Sequence, residues 1–180
     1  YTPSTGKILF VGKHWKKVGS RKGLDFIEGA MKILEEKGYE LEVLSIGNRG
    51  EKIEYDANIK DLGFVDEETL IQSFQDAELF LQPSRRDSHP VAVLEAVRAG
   101  IPPVVSENVG DKYIVEEIDP NLVHKLNAES LAEKIEYFLN LSDEEKTSMS
   151  GKFRDISENY ERDEIITEFK EKFRGLTDDR

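Results

Sequence analysis

Cysteine is absent from this chain of 180 residues, and histidine occurs only three times. The lack of thiols excludes disulfide bonds and thiolate metal sites. His14, His89 and His124 are too widely spaced in the sequence to favour a metal cluster. We therefore expect neither a bound metal ion nor a cofactor, so that any chemistry depends on other side chains.

Long apolar runs are also missing. No stretch approaches the roughly 20 apolar residues of a membrane-spanning helix, and no signal peptide is visible. Acidic residues exceed basic ones by 37 to 25, and the formal net charge of −12 argues against general binding to nucleic acids or anionic membranes. These features predict a cytoplasmic protein.

The chain starts at Tyr1 rather than Met, so we expect a piece of a longer protein, whose other parts would make any contact with a membrane.

Short apolar runs alternate with amphipathic stretches along the chain. The runs with strand character occupy residues 7–12, 40–47, 59–65, 78–82, 102–106 and 122–126. Helical spacing of apolar residues predicts helices over residues 24–37, 66–77, 90–100, 128–141, 142–158 and 162–174. This alternation predicts an α/β fold, with a Rossmann-like doubly wound parallel sheet over residues 6–141 and a C-terminal helical tail over 142–176. The whole chain, 1–180, is expected to form one domain.

The stretch from Pro83 to Gly100 joins a predicted strand to a predicted helix. A polar turn follows the strand, the helix starts near Pro90, and Ser88 is a plausible N-cap. Gly100 supplies the stop at the C-terminal end of this helix. A strand that ends at a helix N-terminus presents free N–H groups and the positive end of the helix dipole, which together favour an anion.

Charged residues near this turn indicate the chemistry of the ligand. Asp87 lies before the helix and Glu95 within it, and carboxylates accept hydrogen bonds well from sugar hydroxyls. A basic loop, 13–23, follows the first strand and opens at the same carboxyl edge of the sheet. This loop carries cations for a diphosphate, so the expected ligand is part anion and part polyol, such as a nucleotide sugar.

The segment P-S-R-R-D-S-H-P-V-A-V-L-E-A-V-R-A-G resembles the signature of retaining glycosyltransferases with the GT-B fold. In that signature an acidic residue is followed after seven others by Glu, and then by a small-residue helix and Gly. F-V-G-K…R-K-G-L-D is similar to the family's diphosphate-clamping loop, and D-L-G-F-V-D-E-E-T-L…D-A-E-L-F-L-Q-P-S to its segment around the nucleobase. The resemblance implies the C-terminal, donor-binding half of a GT-B enzyme, whose N-terminal acceptor-binding domain is not in this chain.

The resemblance also implies roles for individual residues. Lys13 and Lys22 stand at the positions that clamp the diphosphate, and backbone near Val65 approaches the base. Asp87 stands where the family contacts hydroxyls of the transferred sugar, and Glu95 stands where it holds the ribose. The turn whose backbone N–H groups would face the distal phosphate consists of Ser88, His89, Pro90 and Val91.

Some assignments stay open at this stage. The His89 side chain is predicted either to contact the donor's phosphate or sugar or to fill the turn, and His124 is predicted to be structural. Further candidates on the basic loop, for phosphate binding or for stacking on the ligand, are His14, Trp15, Lys16 and Arg21.

The expected function is transfer of a hexosyl group from a nucleotide-diphosphate donor with retention of configuration. Lys13 and Lys22 would stabilise charge on the departing diphosphate, and no side chain is identified as a catalytic base. The isolated domain is expected to be inactive. The alternative is a non-catalytic nucleotide-sugar-binding or regulatory module, because Lys13 replaces Arg and Asp87 replaces Glu in the family pattern. Another enzyme alternative is a GT-B-like epimerase or phosphorylase, although a phosphorylase would bring a far longer chain and a pyridoxal phosphate lysine, neither of which is visible. A dehydrogenase is disfavoured because no G-x-G-x-x-G follows the first strand.

Overall fold

The computed structural model describes residues 6–14, 21–48, 50 and 53–158. The strands in chain order are β1 (Lys7–His14), β2 (Glu42–Asn48), β3 (Ile59–Gly63), β4 (Leu79–Gln82), β5 (Pro103–Ser106) and β6 (Val123–His124). They form one parallel sheet with the order β3-β2-β1-β4-β5-β6. The helices among these residues are α1 (Leu24–Glu36), α2 (Glu67–Asp76), α3 (Val91–Ala99), α4 (Lys112–Ile118), α5 (Ala128–Leu139) and α6 (Asp143–Glu158), with a 3₁₀ turn at Pro120–Leu122.

The sheet is covered by helices on both faces. After β3 the chain crosses to β4 on the opposite side of β1. Because parallel crossover connections are right-handed, this reversal puts α1 on one face and α2 and α3 on the other. α1 packs against α5, while α3 and α4 pack against α6. The predicted Rossmann-like, doubly wound α/β fold is therefore confirmed.

The central strands form the core of the domain. Every residue of β4 and β5 is buried, as expected for parallel strands that are covered on both faces. Phe80 of β4 stacks on Phe74 of α2 with 6.0 Å between ring centroids, which anchors α2 to the sheet. β1 and β4 are hydrogen-bonded neighbours although β2 and β3 separate them in the sequence. The crevice beyond the carboxyl ends of β1 and β4 is therefore the switch point at which such sheets bind ligands.

The structure corrects the sequence prediction at three places. β1 continues to His14, so Lys13 lies in the strand and not in the following loop. Ser88 is not the N-cap of α3, because the helix begins at Val91 with Pro90 at the capping position and no side-chain cap hydrogen bond. α4 was not predicted, since its seven residues are too few to show a helical period.

Other boundaries agree with the sequence prediction to within two residues, with β3 ending at Gly63 and not at residue 65, or lie outside the described residues. Gly100 caps the C-terminal end of α3 in the left-handed conformation, with a φ of 73°, as predicted. The predicted helix over residues 162–174 lies outside the part of the chain that the structure describes. Within the described part, no helix combines the length and the apolar character needed to cross a membrane.

His124 in β6 is buried, as expected for a structural residue. Its Nδ1–H donates to the carbonyl oxygen of Lys125 at 2.6 Å, and Nε2 has no partner among the described residues. Burial lowers the pKa of this imidazole to about 4, because the charged form loses its hydration. The folded protein therefore holds His124 in the neutral form.

We predict that His124 makes folding less favourable in acid. Between pH 6.5 and about pH 4 the unfolded chain binds a proton that the folded chain does not, so stability is lost as the pH falls. Urea unfolding at pH 7 and pH 5 should show a fall of about 2 kcal/mol from this residue in the wild type. In the His124→Gln variant that share of the fall should disappear. An equal fall in both proteins would contradict the prediction.

Candidate functional site

A part-buried ion pair lies at the switch point of the sheet. The Nζ of Lys22 is 2.7 Å from Oδ2 of Asp87, and the two side chains are 13% and 11% exposed. Lys22 precedes α1, whereas Asp87 lies in the turn between β4 and α3. The structure thus brings together two predicted site residues that are 65 positions apart.

Close backbone packing holds these two segments together. Gly23 has a φ of 73°, and a Cβ atom there would lie 2.1 Å from the carbonyl oxygen of Pro83, so no other residue fits without displacement. The amide of Arg85 donates to the carbonyl oxygen of Arg21 at 2.9 Å. The Arg85 guanidinium binds both carboxylate oxygens of Asp25, at 2.8 and 2.5 Å. The β4–α3 turn is therefore fixed against the start of α1.

Gln82 contacts the ion pair from the end of β4. This fully buried side chain donates to the Ser84 hydroxyl at 2.9 Å and to Oδ2 of Asp87 at 3.4 Å. Its Oε1 atom has no hydrogen-bond partner among the described residues. The sequence analysis missed Gln82, although a polar residue at the carboxyl end of an apolar strand is a recognisable signal.

The predicted cations differ in the contacts that the structure shows with Asp87. Arg21 is 61% exposed, its Nη1 lies 3.7 Å from Oδ2 of Asp87, and it also donates to the carbonyl oxygen of Arg86. Lys13 is exposed on β1, and no contact recorded within the described residues joins it to the ion pair. Trp15, Lys16 and the side chain of His14 lie outside the described residues. Arg21 is therefore a second cation near Asp87, and the role of Lys13 in binding the diphosphate stays a prediction.

A second pair of side chains lies on the other side of the same turn. Nδ1 of His89 is 2.9 Å from Oδ1 of Asp111, a residue of the β5–α4 loop. The imidazole side chain is 62% exposed, whereas the side chain of Asp111 is 4% exposed. The sequence analysis missed Asp111, because the loop that carries it contains no pattern beyond Val-Gly-Asp.

Backbone contacts bring this loop to the turn. The amide of Asp87 donates to the carbonyl oxygen of Asn108 at 3.3 Å, and the amide of Gly110 donates to the carbonyl oxygen of Asp87 at 2.8 Å. Gly110 also passes so close to Ser88 that a Cβ atom would lie 1.9 Å from the Ser88 carbonyl oxygen. The turn is thus held by backbone on two sides.

The N-terminus of α3 follows this turn directly. Pro90 is buried, while Ser88 and Val91 are exposed, Val91 at 60%. The amide of Val93 donates to the carbonyl oxygen of Pro90 at 2.8 Å, and Pro90 has no N–H to contribute. The available N–H groups at this end therefore belong to residues on either side of Pro90.

Glu95 lines a groove between α2 and α3 instead of joining the Lys22–Asp87 pair. The groove has a volume of about 540 Å³ and contains the apolar side chains Leu70, Ile71 and Phe74. The pKa of Glu95 is raised above its ordinary value, because the groove walls withhold water from the carboxyl although the residue as a whole remains exposed. Val65 lies half-buried between β3 and α2, two residues before the groove wall begins at Glu67.

This arrangement offers complementary groups for a ligand with both phosphates and hydroxyls. Lys22, Arg21 and the first amides of α3 attract anions, while carboxylate and amide oxygens of Asp87 and Gln82 accept hydrogen bonds. Within the described residues, no group of three or more His, Asp or Glu side chains has the geometry to hold a metal ion.

The chain has detectable relatives among known proteins. The profile of the family "Glycosyl transferases group 1" matches residues 5–141. An uncharacterised glycosyltransferase of Methanocaldococcus jannaschii is 29% identical over 170 residues, which cover 89% of this chain and 43% of that protein. The chain thus spans less than half the length of this curated relative.

Solved structures show the same fold. Sucrose-phosphate synthase from Thermosynechococcus elongatus superposes with a TM-score of 0.75 at 17% identity, over 99% of this chain and 47% of that one. The catalytic domain of cholesterol-alpha-glucosyltransferase from Helicobacter pylori gives a TM-score of 0.68 at 20% identity, over 86% of this chain and 99% of that one. At these identities the similarity concerns the fold alone.

We predict that Gly110→Ala disturbs the site through its backbone. The added methyl group would overlap the Ser88 carbonyl oxygen, so thermal or urea unfolding should show a loss of about 1–3 kcal/mol. Gly151→Ala is the matched control, because Gly151 lies in α6 and a Cβ there meets nothing within 4 Å. The control should be neutral or more stable by up to about 1 kcal/mol. Equal stability of the two variants would contradict the prediction.

Proposed function

The chain belongs to the family of group 1 glycosyl transferases, and on this premise we propose that it binds the nucleoside-diphosphate sugar donor of a glycosyltransferase that retains anomeric configuration. The observation that carries the proposal is the 2.7 Å contact between Lys22 and Asp87, directly before the N-terminus of α3. A cation for phosphate and a carboxylate for sugar hydroxyls lie side by side there. In this proposal the chain is the donor-binding half of a longer enzyme.

The diphosphate binds on the cationic side of the site. Lys22 donates to phosphate oxygens, as an ammonium group does in charge-assisted hydrogen bonds, and Arg21 adds a second charge from the exposed rim. Free amides at the start of α3 add further donors. Diphosphate binding at Lys22 competes with Asp87, so the internal ion pair is weakened when the ligand enters.

The transferred sugar binds next to the diphosphate. Asp87 accepts hydrogen bonds from sugar hydroxyls once its contact with Lys22 is shared with phosphate. The unpartnered Oε1 of Gln82 is a second acceptor, which lies deeper in the site because Gln82 is fully buried. Hydroxyl donors thus replace the stabilisation that Asp87 loses when phosphate draws Lys22 away.

The nucleoside lies along the start of the α2–α3 groove. Glu95 accepts hydrogen bonds from the ribose hydroxyls, and the backbone near Val65 borders the base. The raised pKa of Glu95 is compatible with this role, because a carboxyl that water solvates poorly gains more from ligand hydroxyls.

Catalysis by this half consists of positioning and charge stabilisation. As the bond between sugar and diphosphate breaks, negative charge grows on the leaving diphosphate, and Lys22, Arg21 and the amides of α3 stabilise it. We assign no metal ion, cofactor or catalytic base to this half, since the cations already face the developing charge. In this proposal the acceptor is bound by an N-terminal domain of the full-length protein.

We predict that this chain binds one of UDP, GDP and ADP selectively in calorimetric titrations. Lys22→Ala should weaken the best nucleotide and inorganic pyrophosphate alike, by about tenfold or more, because both use the phosphate contact. Glu95→Gln should weaken only the nucleotide, because pyrophosphate has no ribose. The different effects of the two substitutions distinguish the proposed phosphate contact from the proposed ribose contact.

Lys32→Ala is the matched control for this titration. Lys32 lies on α1 and pairs with Asp56 at 3.4 Å on an exposed surface, so its removal changes the charge equally without touching the site. Its affinity for the nucleotide should equal that of the wild type. Thermal melting of each variant separates weaker binding from unfolding. The proposal fails if nucleotide affinity is unchanged by Lys22→Ala, or if none of the three nucleotides binds at millimolar concentration.

We further predict that the full-length protein transfers the sugar of the selected nucleotide with retention. The anomeric configuration of the product, read from NMR coupling constants, should match that of the donor. Lys22→Ala should lower kcat/KM by about tenfold or more, since it removes stabilisation of the leaving diphosphate. Binding without turnover in the wild-type protein would instead support a non-catalytic module.

A further inference from the structure

A buried carboxylate at the edge of the site has no role in the proposed donor contacts. The side chain of Asp111 is 4% exposed, its Oδ1 lies 2.9 Å from Nδ1 of His89, and its Oδ2 has no hydrogen-bond partner among the described residues. A buried carboxylate with one partner is energetically costly. Helix capping does not account for it, because Asp111 occupies the N-cap position of α4 without a side-chain cap hydrogen bond.

The position of Asp111 is set by the backbone on both sides of the turn. The parallel bridge between Asp87 and Val109 and the close passage of Gly110 over Ser88 bring the β5–α4 loop under the imidazole. His89 follows Asp87 by two residues and precedes the first residue of α3 by two. The imidazole therefore stands beside the proposed diphosphate site, and 62% of its side chain is open to solvent.

The contact with Asp111 decides which ring nitrogen of His89 carries a proton. A carboxylate only accepts hydrogen bonds, so Nδ1 donates to Oδ1 of Asp111, and this tautomer follows from the partner. Nε2 then carries a proton only when the ring is cationic. An imidazolium can donate to Asp111 through one nitrogen and to a bound anion through the other.

We propose that Asp111 is a positioning residue that holds His89 so that Nε2–H donates to an oxygen of the donor's diphosphate, with uptake of one proton from solvent on binding. This inference rests on the proposed function and adds a proton-coupled phosphate contact to it. No covalent bond changes in the step. The proton moves from the buffer to Nε2, and the added positive charge faces the phosphate.

Other charged groups near His89 either have a charged partner of their own or are exposed to solvent. Lys22 and Asp87 form the ion pair described above, and Arg21 lies 3.7 Å from Asp87. On α4, Lys112 lies 3.8 Å from Glu116. Arg86 is exposed in the same turn as His89. Within the described contacts, the carboxylate that faces the imidazole ring is that of Asp111.

The test is calorimetric titration of the chain with inorganic pyrophosphate at about pH 7.5, where free histidine is mostly neutral. Titrations in buffers with different ionisation enthalpies measure the protons taken up. The wild type should take up a substantial fraction of one proton. His89→Gln should lose this uptake relative to the wild type, since the ionisation of pyrophosphate itself is common to both proteins. It should also bind roughly tenfold more weakly, because it loses a charged donor.

Asp111→Asn distinguishes a positioning role from a merely structural one. An amide can donate to Nδ1, so the neutral ring would carry its proton on Nε2 and donate to phosphate without taking up a proton. This variant should therefore retain binding within a few-fold of wild type but lose the coupled proton. Nitrogen-15 NMR without ligand should show the Nδ1-protonated ring of His89 in the wild type and the Nε2-protonated ring in the variant. With pyrophosphate bound, both ring nitrogens should be protonated in the wild type, whereas the variant should keep its proton on Nε2 alone.

Glu116→Gln is the matched control for Asp111→Asn. It makes the same change in charge on the exposed surface of α4, so proton uptake should stay at the wild-type value. Thermal melts confirm that each variant is folded.

The outcomes separate the inference from the function on which it rests. The inference is overturned if proton uptake is unchanged in His89→Gln or in Asp111→Asn. The proposed function still stands in that case, provided that Lys22→Ala weakens pyrophosphate binding. A wild-type tautomer in the Asp111→Asn variant overturns the role of Asp111. The inference and the proposed function are both overturned if pyrophosphate does not bind, or if Lys22→Ala leaves its affinity unchanged.

Discussion

The architecture of the site depends on close backbone contact along the β4–α3 turn. Gly23 passes against Pro83 on one side, and Gly110 passes against Ser88 on the other, at distances that leave no space for a Cβ atom. These two approaches join the ends of β1, β4 and β5 into one surface. The ion pair of Lys22 with Asp87 and the pair of His89 with Asp111 are consequences of them, since each joins the turn to one of the flanking loops.

The fold could be predicted from the sequence because its signals are local. Apolar runs alternate with amphipathic helices, and parallel strands covered on both faces are apolar along their whole length. Gly100 marked the end of α3 correctly because its left-handed conformation is a property of the residue itself. The short α4 escaped prediction because seven residues span barely two turns and show no clear period.

The site was predictable only in part, because side-chain pairing is not local. Lys22 and Asp87 were selected separately, but their contact across 65 residues follows from the topology of the sheet. Lys13 was predicted together with Lys22 to bind the diphosphate, and its role stays a prediction. It lies exposed near the end of β1, which is two residues longer than predicted. Asp111 gave no strong signal in the sequence, and the polar end of β4 marked Gln82 only weakly as a site residue. The burial and the unpartnered oxygen atoms of both side chains are revealed only by the fold.

The neutrality of the Lys22–Asp87 pair bears on the order in which the ligands of the proposed function bind and leave. Lys22 and Asp87 neutralise each other within the fold. A nucleoside diphosphate without its sugar would draw Lys22 away and leave a part-buried carboxylate beside phosphate, with no hydroxyl to restore its hydrogen bonds. An intact donor supplies that hydroxyl. In the proposed function, this difference favours the intact donor over the spent nucleotide, which would then leave the site more readily.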